Sequence, residues 1–112
     1  MFGFFKSQKT SQTEDLPSLL KAAIEEVKHK WIHFDQTIHL KPEFRLANKI
    51  EMFADPVQSF LQSKYPMLLL EKPGKVIWLT IFTAIAESKT YPQELVNEAV
   101  AELTIKYGMT TT

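Results

Sequence analysis

The chain has 112 residues, 13 Lys plus Arg against 13 Asp plus Glu, a formal net charge of +0 at pH 7 and no cysteine. That length suits one domain with its own core, and the balanced charge removes the electrostatic footprint of a nucleic-acid binder, so nucleic acid is not an expected partner. The missing thiols exclude disulfides, thiolate metal sites and cysteine nucleophiles.

The chain opens Met1-Phe2-Gly3-Phe4-Phe5-Lys6 and turns polar at once, without the apolar stretch of a secretory signal. The protein is therefore read as soluble, unexported and cytoplasmic. Residues 1–15 are expected to form a flexible N-terminal segment, polar from Ser7 to Asp15, followed by a single helical domain over residues 16–108 and a frayed tail at 109–112. Phe2, Phe4 and Phe5 are hard to explain by folding alone. They either dock back onto the domain or bind something else, each contributing about 1.5 to 3 kcal/mol if buried. With Lys6 beside them, a weak membrane-surface contact belongs among the expectations.

From Leu16 onward, Leu20, Ala23, Ile24, Val27, Trp31, Phe34 and Ile38 fall on one side of a helical wheel, so a first helix is expected over Leu16 to Asp35. Asp15 is placed to cap it and Pro17 sits in the permissive first turn. On the same helix Glu26, His29 and His33 stand at the i, i+3 and i+4 spacings that chelate a metal. They lie opposite the apolar stripe, facing solvent, and lack both the His-Glu-x-x-His order and a repeated Glu-x-x-His.

A second helix is expected from Pro42, with Leu46, Ile50 and Phe53 facing inward and Val57 and Leu61 continuing in phase. Asp55-Pro56 interrupts the pattern, so this helix either kinks or restarts as a nearly collinear piece. Tyr65-Pro66 ends it, Met67 to Glu71 forms a short apolar turn of helix, and Pro73-Gly74 reads as a turn.

The segment Val76 to Ala86, VIWLTIFTAIA, has only the hydroxyls of Thr80 and Thr83 as side-chain polar groups. As a helix of about residues 75–88 it would be central and buried, with Trp78, Ile81, Phe82 and Ile85 on a bulky side and Val76, Thr80, Thr83 and Ala84 on a small one. It is too short to cross a bilayer. Its β-branched content also permits a hairpin closed at Pro73-Gly74, but no second pair of strands would shelter one.

A last helix opens near Pro92, where Thr90 and Gln93 have capping-box spacing. Leu95, Val96, Ala99, Val100, Leu103 and Tyr107 are its expected buried stripe, and Gly108 its stop. Glu94, Glu98 and Glu102 repeat along the outer face, an acidic stripe for a basic partner or a solvated face. Ile32 and Ile105 stand on polar sides of their helices, and together they would make a patch for a partner or for homo-oligomerisation.

No Gly-x-Ser-x-Gly elbow is present, three glycines cannot form a phosphate loop, and no cofactor is expected. The expected fold is all-α, a compact bundle of four to five helices. The expected role is non-catalytic: a protein-protein interaction or regulatory module whose partner is another protein. The alternative is a small-ligand or metal-binding helical domain, using a pocket beside Trp78 and Phe82 or the pair His29 and His33.

Overall fold

The computed structural model describes residues 15–37 and 45–108. Phe2, Phe4, Phe5, Ile38, Pro42 and residues 109–112 lie outside them. Among the described residues four helices follow in chain order: α1 (Leu16–Thr37), α2 (Leu46–Lys64), α3 (Pro73–Ser88) and α4 (Gln93–Lys106), with a 3₁₀ turn at Pro66–Leu69 between α2 and α3. The fold is an all-α bundle, and no strand occurs among the described residues.

Helix α1 begins where its cap predicts, the Asp15 side chain accepting from the Ser18 amide at 3.3 Å. The Ser18 side chain first, and that amide bond after it, hold the Asp15 carboxyl below its ordinary range. The helix runs past Asp35 to Thr37, whose hydroxyl donates back to the carbonyls of His33 and Phe34, both at 3.1 Å. Helix α2 starts at Leu46, later than expected, from an extended Arg45. It passes through Pro56 as one helix, because the apolar stripe Ile50, Phe53, Val57 and Leu61 keeps its phase and is buried throughout. Proline carries no amide, so the Met52 carbonyl has no helical donor at position 56.

Pro73-Gly74 does not turn the chain; it opens α3. Proline's fixed φ and missing donor suit a first helical position, where no partner is needed. Helix α3 is central, packing on α1, α2, α4 and the 3₁₀ turn. Its buried residues are Ile77, Thr80, Ile81, Ala84 and Ile85, which mixes the two expected faces. The remaining side is apolar but open: Leu79 is 48% exposed, and Trp78 and Phe82 are half-buried. Thr80 tolerates complete burial because its hydroxyl donates to the Val76 carbonyl at 2.7 Å. The helix ends at Lys89 in the left-handed region, φ 60°, without the glycine usual there.

The expected cap of α4 is also corrected. Thr90 does not cap it; the hydroxyl accepts from the Trp31 indole N–H at 2.8 Å, and Pro92 stands at the N-cap instead. Val96, Ala99 and Leu103 are buried, whereas Leu95 and Tyr107 are exposed, so the stripe is narrower than its sequence suggests. Trp31 anchors the centre, fully buried, with its ring 5.2 Å from Phe53 and edge-on to it. No helix among the described residues is long and apolar enough to cross a membrane.

Candidate interaction site

Helices α1 and α2 run antiparallel, since Glu26 meets Lys64 and Tyr65 at one end and Asp35 meets Lys49 at the other. Each end is tied by a polar cluster. At the first, the Lys64 ammonium lies 2.9 Å from Glu26 Oε1 and the Tyr65 hydroxyl donates to Oε2. The tyrosine hydroxyl, then the ammonium, hold the Glu26 carboxyl below its ordinary range. At the second, the Lys49 ammonium donates to the Tyr91 hydroxyl at 2.6 Å and lies 3.2 Å from Asp35, and Tyr91 donates to Asp35 at 2.7 Å. The Tyr91 hydroxyl raises the Lys49 pKa, and burial raises that of Tyr91.

Between these ties the helices separate into a groove of about 430 Å³. Its α1 wall is His29, Lys30, His33, Phe34 and Thr37, and its α2 wall is Phe53, Pro56 and Val57. The floor is apolar: Phe53 and Val57 are buried, and the ring of the half-buried Phe34 lies 5.0 Å from that of Phe53. Among the described residues the polar lining holds two imidazoles, one ammonium and one hydroxyl, with Glu25 and Glu26 outside the lining but within electrostatic reach of His29 and Lys30. Lys30 is steadied at the rim by the Phe60 ring, 4.5 Å from its centroid. The side-chain nitrogens of His29, Lys30 and His33 make no hydrogen bond or ion pair among the described residues.

The Glu26, His29, His33 cluster is thereby divided. Both Glu26 oxygens are engaged by α2, and no group of three His, Asp or Glu among the described residues is placed to hold a metal ion. The two histidines are exposed, as their place opposite the apolar stripe implies, and they also rim the groove. Sequence reasoning missed Lys30, Phe34, Thr37, Phe53, Pro56 and Val57 as one site. The available signal was Pro56, a helix breaker kept in phase with a buried stripe.

Other candidate residues fall elsewhere. Glu94 and Glu98 are exposed on α4, while Glu102 pairs with Arg45. Ile105, 79% exposed, is the most exposed large apolar side chain described. Ile32 is half-buried on α1, and α1 and α4 do not pack on each other, so these two isoleucines share no patch. Trp78 stacks on Phe82 at 5.5 Å and lies 5.2 Å from Tyr107, so each ring beside the expected ligand pocket is in contact with another ring.

Compared with protein-family models, curated proteins and solved structures, the chain matches none.

Proposed function

We propose that this protein is a non-catalytic interaction module, acting in the cytoplasm by occupancy, and that the groove between α1 and α2 receives a segment of a partner protein. One observation carries the reading: an apolar floor lies beside a rim whose nitrogen donors make no hydrogen bond or ion pair among the described residues. Apolar side chains entering such a groove gain burial, and carboxylates at its edge gain charge-assisted hydrogen bonds. Among the described residues no lining group pairs a nucleophile with a base, and the polar groups stand along one wall rather than converging on a reacting atom.

The experiment is site-specific photo-crosslinking in cells with a photoreactive residue at His33, and at exposed Gln62 as control. A discrete adduct at His33 that is absent at Gln62 and lost with Lys30→Glu is the expected result. Equal labelling at both sites, or labelling indifferent to Lys30, overturns the reading. A second reading, small-ligand binding, is favoured by the volume of the groove, which lies within the range of small-molecule sites, about 300–1,000 Å³. A metabolite library that raises Tm in the parent and not in a Thr37→Trp variant would favour it.

A further inference from the structure

Two features of the molecule are complementary in chemistry and separated in space. Among the described residues the groove is lined by Lys30, His29 and His33, and Glu25 and Glu26, which act on His29 and Lys30, stand outside its lining. The outer face of α4 presents Glu94 and Glu98, which make no ion pair or hydrogen bond among the described residues, in line with Ala101 and the exposed Ile105. On a helix Glu98 and Ile105 lie two turns apart on one side, about 10 Å at 1.5 Å per residue, and the groove extends about 12 Å from His29 to Thr37. We infer that the groove receives the outer face of α4 from a second copy of this chain, with Ile105 entering beside Phe34 and Pro56 and Glu98 meeting Lys30 and the imidazoles. This rests on the proposal that the groove is a docking site, and it adds the occupant.

The contact cannot form within one molecule. Helix α2 turns Phe53 and Phe60 toward α1, whereas Glu51 on another side meets Lys106 and Tyr107 at the end of α4, and α1 and α4 do not pack together. Groove and stripe thus face away from each other across α2. A surface that pairs with a different surface of its copy is heterologous, so association continues into a ring or an open chain unless one end is blocked. The chain's own N-terminal segment is the poorer occupant. Residues 1–11 carry Lys6 and Lys9 and no carboxylate, which repeats the sign of Lys30 instead of opposing it.

Sedimentation velocity of the full chain over a concentration series, in low and in high salt, tests this. The mass is expected to rise above 12.9 kDa with concentration in low salt and to fall back in high salt, because exposed charges drive the contact. Lys30→Glu, which spoils the groove, and Ile105→Ser, which spoils the stripe, should each weaken association by about tenfold or more. Both residues are exposed, and unchanged circular dichroism confirms that the variants fold. An equal mixture of the two variants is the decisive sample. It retains one intact groove and one intact stripe, so it should form a species of two chains that does not grow further.

A monomer at every concentration overturns the inference, as does association that survives either variant, ignores salt or fails to recover in the mixture. A monomeric protein that still gives a Lys30-dependent adduct of different mass at His33 refutes only the second copy as occupant. Loss of that adduct as well refutes the docking site itself.

Discussion

Helix α2 has two flanks that treat polar groups in opposite ways. Toward α4 the boundary is closed by charge: Arg45 pairs with Glu102, and Glu51 accepts from both the Lys106 ammonium at 2.7 Å and the Tyr107 hydroxyl at 2.5 Å. Toward α1 the polar ties of the described residues are confined to the two ends, and the middle is an apolar trough whose edge donors make no hydrogen bond or ion pair among those residues. Both flanks rest on the same buried stripe. A sealed boundary can be explained by folding alone. An open one whose donors make no hydrogen bond or ion pair among the described residues is better explained by something that arrives later.

The comparison fails if the open flank is merely loose packing, and Trp31 is the residue that decides this. It is fully buried, stacks on Phe34 and packs edge-on against Phe53, both of which line the groove, and donates to Thr90. Trp31→Ala should therefore destabilise by about 3–5 kcal/mol in chemical denaturation, the cost of emptying a tight core site. Trp31→Phe keeps most of the ring but leaves Thr90 without its indole donor, and should cost about 1–2 kcal/mol. A loss under 1 kcal/mol for the alanine variant would mean that the helices simply meet badly there.

Pro56 sharpens the contrast because it forms part of the groove wall at the expense of the helix. Restoring an amide at that position lets it donate to the Met52 carbonyl, an effect offset in part by the greater freedom that alanine gives the unfolded chain. Pro56→Ala should raise stability by about 1–2 kcal/mol while lowering the crosslinking yield at His33. Unchanged or lower stability would remove the idea that the groove wall opposes the helix.

On the sealed flank Glu51 carries the test. Its carboxyl is held below the ordinary glutamate range, first by the Lys106 ammonium and then by the Tyr107 hydroxyl. A lowered folded-state pKa contributes stability that is present above the unfolded-state value and disappears as pH falls through the folded one. Glu51→Gln should thus cost about 1 kcal/mol near neutrality, reduced from a buried pair by solvent screening, and should flatten the acid side of the stability profile. An acid limb identical to that of the parent would show that the pair is only a surface encounter.

The helices themselves were legible because each has a local cause. Asp15 marks the start of α1, the Tyr65-Pro66 pair closes α2, and Gly108, at φ +66°, lies just beyond α4. Errors arose where a residue was engaged by a distant one. Thr90 has the spacing of a cap but serves Trp31, far away in sequence, and Glu26 has the spacing of a metal ligand but serves Lys64 and Tyr65. Pro73-Gly74 was misread for a different reason: the same dipeptide suits a turn or a helix start, and the apolar run after it favours the helix. The groove was the least legible feature, since its walls come from two helices running in opposite directions and periodicity describes one helix at a time.

The smallest expected effect separates the flanks most directly. If His29 and His33 were structural, their removal would resemble the loss of Glu51. Neither ring bonds to a described residue and both are exposed, so replacing them with alanine removes little packing and adds a good helix former. The double variant His29→Ala/His33→Ala should match the parent within about 0.5 kcal/mol in urea denaturation, yet crosslinking from a photoreactive residue at Thr37, in the same groove, should fall. The two readouts must move apart. Stability that drops together with crosslinking would return the histidines to the fold and leave the open flank without a function of its own.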